Sequence, residues 1–254
     1  VSYIVKQMTW IKTAIKTILP FRQMSGWWRI SRRLSRLKAL EIGGPSPYFH
    51  PGQLCPVYTI LSSIDYCNAI PAEQRTQYIT PPFKEGTTYL CDSTVLKPIK
   101  NKAYDVVLSS HMLEHVANPL KAVLEWKRVL SDKGYILLVL PYKKNIFDHR
   151  RRTTSFQHLL KDYQTCVEED DLNHLEEILQ LHDLTRDPLA GSFEDFKSRC
   201  LRNQELRFLH HHVFDLALGK KALEWAGARV LMSETIDAYS FLLLAQIQDS
   251  EGKF

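Results

Sequence analysis

The stretch Lys38-Ala39-Leu40-Glu41-Ile42-Gly43-Gly44-Pro45-Ser46 constrains the fold more than any other part of this chain. An apolar run holding one acid stops abruptly at two glycines. That pattern predicts a buried strand entering a turn where the backbone comes close to something. A second acid, Asp65, follows a second apolar run 24 residues after Glu41. The spacing suits one β-loop-β step of a nucleotide-binding α/β sheet, in which the second acid meets ribose hydroxyls.

The 254 residues allow one large domain or two small ones, with 44% hydrophobic residues, in the globular range. No apolar run is long enough for a membrane span, and no signal-peptide pattern opens the sequence. Five cysteines (Cys55, Cys67, Cys91, Cys166, Cys200) without framework spacing read as free thiols, and the chain is expected to be cytoplasmic. The net charge of +5 is unevenly placed: residues 1–40 hold nine Lys or Arg and no acid, so the rest sums to about −4. The body is therefore not read as a nucleic-acid binder. Residues 1–37 form a basic segment, with helical apolar steps at Ile4, Met8, Ile11, Ile15 and Ile18 and a break expected at Pro20. Trp27 and Trp28 among arginines suit either a helix packed on the domain or one lying on an anionic membrane, peripheral to its inner face.

Further along, strands are expected at 38–43, 57–64, 88–92, 104–110 and 135–140. Asn118-Pro119 opens a helix with proline in its first turn. The continuous apolar run 135–140 expects cover on both faces, as in a parallel sheet. Residues 142–215 break the alternation and read as a cap or insertion. A helix over 216–226, closed by Gly227, leads into two apolar runs, 229–236 and 239–247, placed to pair antiparallel, before a tail at 248–254.

In Gly43-Gly44, Asp65 and Tyr104 to Pro141, residues 38–247 resemble the class I S-adenosylmethionine-dependent methyltransferases. Glu41 to Ser46, the His149-Arg150-Arg151 stretch and His210 to Phe214 also resemble a narrower group often linked to glycan or cell-surface biosynthesis. The resemblance implies an α/β, Rossmann-like sheet of seven strands in the order 3-2-1-4-5-7-6, the last antiparallel, carrying an α-helical insertion. It implies S-adenosylmethionine as cofactor. Glu41, Gly43 and Gly44 would hold the methionine part, and Asp65 the ribose. Cys91, Asp92 and Ser93 would bracket adenine, while Ser109, Ser110 and His111 face the cofactor from the end of strand four. The first motif departs from acid-x-Gly-x-Gly-x-Gly: Pro45 and Ser46 stand in it and no third glycine follows.

The reaction so implied needs a base if the acceptor is a hydroxyl, and histidine suits that work near neutral pH. His111, His149, His211 and His212 are the candidates, with His115, His210, Arg150, Arg151 and Arg152 as acceptor-binding residues. Guanidinium forks match an anionic or carbohydrate-phosphate acceptor, or else pair with acids of the cap such as Glu169 and Glu177. The string His111-Met112-Leu113-Glu114-His115 has zinc-protease spacing but is read as a pocket or packing element. Neighbouring side chains His210, His211 and His212 point apart, so no metal is expected there. A cofactor-binding subunit without catalytic activity is the alternative reading.

Overall fold

The computed structural model describes residues 20–71 and 86–248. The expected amphipathic run at residues 4–19, most of the loop before the third strand and the end of the tail lie outside these residues. The described elements are α1 (Pro20–Leu34), β1 (Lys38–Ile42), β2 (Ser63–Asn68), β3 (Thr88–Leu90), β4 (Tyr104–Ser110), α2 (Pro119–Val129) and β5 (Leu130–Pro141). After them come α3 (Phe156–Gln164), α4 (Leu175–Leu181), α5 (Phe193–Leu201), α6 (Asn203–Leu206), α7 (Leu216–Trp225), β6 (Ala228–Thr235) and β7 (Ser240–Ile247).

The strands form one sheet in the order β3-β2-β1-β4-β5-β7-β6. β1 to β5 pair in parallel, and β7 runs antiparallel to both β5 and β6. This is the expected topology. Alternation along β5 explains its unbroken apolar run. Ile136, Leu138 and Leu140 pack on one side with α2, α3 and α7, and Leu137 and Val139 on the other with Ile30 and Leu34 of α1. Asn118 caps α2 by accepting from the Lys121 N–H at 3.1 Å, with Pro119 at the first position. A third small core, around Ile178, Phe196, Cys200 and Leu209, belongs to the 142–215 insertion.

Two sequence expectations shift. β5 begins at Leu130 rather than 135, because Leu130 pairs with Tyr104 before a register shift places Tyr135 against Val106. Lys133 takes a positive φ of 61° within that irregular stretch. The second strand is not 57–64: residues Val57–Thr59 form a 3-10 turn, and β2 starts at Ser63. Pro56 precedes that turn, and its lack of an N–H does not suit a central strand. α1 packs on the sheet through Ile30 and Leu34 and donates from Arg29 to the Leu231 carbonyl at 2.8 Å. No helix among the described residues is long and apolar enough to cross a membrane.

Candidate active site

The sheet reverses its direction of growth between β1 and β4, and in open α/β sheets the ligand crevice lies there, beyond the carboxyl ends of the strands. The glycine turn follows β1 at that point. Gly43 takes φ of 81°, and its N–H donates to the Cys67 carbonyl at 2.9 Å. Glu41 is fully buried and curls under the turn, accepting from the Ser46 N–H at 2.9 Å and the Tyr58 hydroxyl at 2.5 Å. A Cβ on Gly44 would lie 2.1 Å from the Glu41 carboxyl carbon, so the second glycine is a packing requirement. The Glu41 carboxylate thus shapes the loop from beneath, whereas the sequence reading had it hold a ligand.

Asp65 is also placed differently from expectation. It lies in mid-strand opposite Leu40, because β2 runs on to Asn68. Its carboxylate accepts from the Thr87 N–H and the Tyr104 hydroxyl, each at 2.7 Å, with Lys38 Nζ 3.8 Å away. Lys38 and Tyr104 begin their strands, so Asp65 faces the amino-terminal side of the sheet. The residue that closes β2 at the crevice is Asn68, which is buried. Sequence reasoning passed over it because the search was for an acid.

Cys91, Asp92 and Ser93 follow β3 directly and sit beside that end of β2. The Cys91 and Cys67 sulfurs are 3.4 Å apart. One oxygen of Asp92 accepts from the N–H and hydroxyl of Thr94, and the other meets Arg207 at 3.0 Å. Arg207 also pairs with Glu169 at 2.9 Å, so the insertion reaches across to this edge of the crevice. On β4, Ser109 and Ser110 have buried hydroxyls without a hydrogen-bond partner among the described residues.

His111 follows β4 with φ of 50°. Its ring stacks on Tyr48 at 5.1 Å, and Nε2 lies 3.0 Å from the Ser240 hydroxyl. Burial and the nearby His210 push its pKa down to about 4, so the imidazole is neutral at physiological pH. About a third of the side chain stays open to solvent. Behind it, 3.8 Å from His111 Nδ1, lies Glu114, whose carboxylate is fully enclosed and has no hydrogen-bond partner among the described residues. Burial raises its pKa to about 7. Glu114 entered the sequence reading only as part of a discounted string.

The remaining candidate histidines are engaged by other side chains and carbonyls. His115 bonds the Leu209 carbonyl at 3.1 Å and meets the His210 ring edge-on at 4.4 Å. His210 is held by Asp148 through Nδ1. Burial opposes ionisation of Asp148, but His210 and Arg151 outweigh it and bring the pKa down to about 2. His211 bonds the Asn203 side chain at 2.9 Å, and His212 lies 3.0 Å from Asp162; both are buried. His149 pairs with Asp183 at 2.8 Å.

Arg151, expected at the acceptor, is 2% exposed and structural. It bonds Asp148 at 3.0 Å, Glu177 at 3.3 Å and the His210 carbonyl at 2.7 Å. Arg150 is half-exposed beside Asp183 at 3.2 Å, and Arg152 is exposed. Pairing with acids of the cap therefore describes Arg150 and Arg151. Gly43, Gly44, Ser109, Ser110 and His111 end or directly follow the adjacent strands β1 and β4, and Cys91 to Ser93 border the same crevice; Asp65, His149, Arg151, His211 and His212 are engaged elsewhere.

Residues 51–138 match the methyltransferase domain family. An uncharacterized protein of Methanocaldococcus jannaschii is 36% identical over 64 residues, 25% of this chain and 28% of that protein. The chain thus spans about a quarter of the curated relative it matches. Among solved structures, the trans-methyltransferase CalH in complex with SAH superposes with a TM-score of 0.50 at 14% identity, covering 86% of this chain and 53% of that one. A SAM-dependent methyltransferase from Aquifex aeolicus gives 0.48 at 13% identity, over 93% and 97%. At 14% identity the likeness to CalH speaks of the fold alone. The sheet order and the matched domain together give the chain the Rossmann-like fold of class I S-adenosylmethionine-dependent methyltransferases.

Proposed function

We propose that this chain transfers the methyl group of S-adenosylmethionine to a hydroxyl oxygen of a small anionic or carbohydrate acceptor. The observation that carries this reading is the neutral imidazole of His111, partly open to solvent, at the end of β4 beside the glycine turn. The crevice fits the cofactor chemically. Ser109 and Ser110 offer buried hydroxyls without a partner among the described residues, and Asn68 and Asp92 end or follow the neighbouring strands. The backbone of Gly43 and Gly44, Asn68, Cys91 to Ser93, Ser109 and Ser110 would hold it.

When bound, S-adenosylmethionine supplies a methyl carbon already activated by its sulfonium. The protein's part is then alignment and removal of the hydroxyl proton. His111 Nε2 would accept that proton in exchange for its contact with Ser240. Its Nδ1 side then faces Glu114, whose carboxylate offsets the imidazolium charge. Tyr48, stacked on the ring, keeps its plane fixed. Arg152 remains as an exposed cation for an anionic acceptor. The exposed Trp28, with Arg32 5.3 Å from its ring centroid, and the basic segment before it would bring the enzyme to an anionic membrane surface.

Screening sugar phosphates, acidic sugars and sugar nucleotides with methyl-labelled cofactor tests the acceptor. Label in a hydroxyl product, lost in His111→Ala, supports the reading. Cofactor binding without turnover on any acceptor would favour the non-catalytic subunit.

A further inference from the structure

The insertion contains a second histidine cluster, away from His111. His158 and Asp162 lie four residues apart on α3 and share one face. His174 caps the amino end of α4, and His212 lies on the segment entering α7. Their side chains converge. His158 Nε2 is 3.0 Å from His174 Nε2 and 3.2 Å from Asp162 Oδ2. His212 Nε2 is 3.0 Å from the same Asp162 oxygen. One ligand atom from each of the three histidines lies within 4.8 Å of the others.

Hydrogen counting shows what this cluster lacks. The Val116 carbonyl can only accept, so the proton of His212 sits on Nδ1, 3.1 Å from it. Nε2 of a neutral His212 then turns a lone pair toward the Asp162 carboxylate. Between His158 and His174 only one of the two facing nitrogens can donate. The facing lone pairs thus outnumber the hydrogens available to them, with His212 buried and His174 half-buried. Extra protons would place imidazolium rings against one another inside the fold, which is costly. A single divalent cation would take a lone pair from each of the three imidazoles, with Asp162 beside two of them.

We propose that His158, His174 and His212, through Nε2, and Asp162, through Oδ2, form a zinc site. Zinc–nitrogen bonds of 2.0–2.1 Å put tetrahedral ligand atoms roughly 3.3 Å apart; three contacts, at 3.0, 3.2 and 3.0 Å, are near that spacing, and the histidine nitrogens, within 4.8 Å of one another, would draw in around the ion. Three imidazoles and a carboxylate suit zinc and close the coordination, as structural sites do. The outer partners are present: the Val116 carbonyl on His212 Nδ1, and Glu177 Oε2 3.7 Å from His174 Nδ1. The ion clips α3, α4 and the 210–212 segment together. His212 also donates its N–H to the Glu114 carbonyl at 3.2 Å, so the clip seats the insertion against the end of β4.

The test uses the full chain purified without added metal. Elemental analysis should find about one zinc per chain, or chelator-treated protein should take up about one on titration with zinc chloride, with a higher unfolding temperature. Cobalt(II) in its place should give the strong visible absorption of a tetrahedral complex. His174→Ala and His158→Ala, at the more exposed ligands, should lower zinc affinity at least 10–100-fold. Glu114→Gln, in the other histidine cluster, should keep the ion. No zinc uptake by the wild-type chain overturns the proposal. So does zinc retained by both histidine variants, or lost in Glu114→Gln but not in His174→Ala. The cobalt spectrum of the wild-type chain decides even if a variant fails to fold.

Discussion

Replacing Arg151 with methionine separates a structural arginine from an acceptor-binding one. Arg151 is enclosed and bonds Asp148, Glu177 and the carbonyls of His210 and His211. In Arg151→Met, Asp148 keeps His210 as a partner but loses its guanidinium, and two carbonyls lose their donors. Breaking one side of a buried ion pair costs about 3–5 kcal/mol. In a chain of this size, 1 kcal/mol moves the midpoint by roughly 2–4 °C, so Tm should fall by about 6–20 °C. Thermal and urea unfolding of the purified chain measure this. Asp148→Asn with Arg151→Met should cost less than the two single changes added, because the unpaired charge is gone. A Tm within about 2 °C of wild type, together with a raised KM for an anionic acceptor, would refute the reasoning and return Arg151 to the substrate.

Asn68→Ala should weaken SAH binding about tenfold, the loss of one or two hydrogen bonds, whereas Asp65→Ala should lower stability and leave calorimetric affinity within about twofold; the reverse order would restore Asp65 to the ribose. Gly44→Ala forces a methyl into the Glu41 carboxylate, so it should cost about 1–3 kcal/mol in urea unfolding and abolish SAH binding; a wild-type midpoint would show that the turn tolerates a side chain. His111 has its folded pKa below the unfolded value, so the unfolded chain binds the proton first: stability should be level above about pH 6.5 and fall from there toward pH 4, with an imidazole NMR titration midpoint near 4. A midpoint near 6.5 would place the ring in open water. Arg207→Met frees Asp92 and Glu169 and should speed proteolysis of the insertion with under about 1 kcal/mol change in global stability; an unchanged cleavage rate would count against the bridge.

The sheet was legible because its signals are local and repeated. The run 135–140, the Asn118-Pro119 start and the Gly227 stop each act within a few residues, and the structure places them nearly as read. The second strand was displaced because Val57 to Leu61 has a strand's composition, while Pro56 turns it into a 3-10 element that buries Val57 and Tyr58 differently. That shift carried the ribose acid with it: Asp65 is an acid at a familiar distance from Glu41, but three residues short of the strand's end. The insertion was opaque for another reason. His158, Asp162, His174 and His212 are brought together across more than fifty residues of irregular chain. Only the four-residue step from His158 to Asp162 on a helical pattern hinted at a shared face. Arg151 looked like a phosphate ligand because sequence shows charge and hides enclosure.

The central claim is that the crevice at the ends of β1, β2 and β4 holds S-adenosylmethionine. Isothermal calorimetry of the full chain with S-adenosylhomocysteine tests it directly. Saturable binding of about one molecule per chain is expected, weakened in Asn68→Ala and lost in Gly44→Ala. No heat of binding from folded wild-type chain, at concentrations up to about a millimolar, would contradict it.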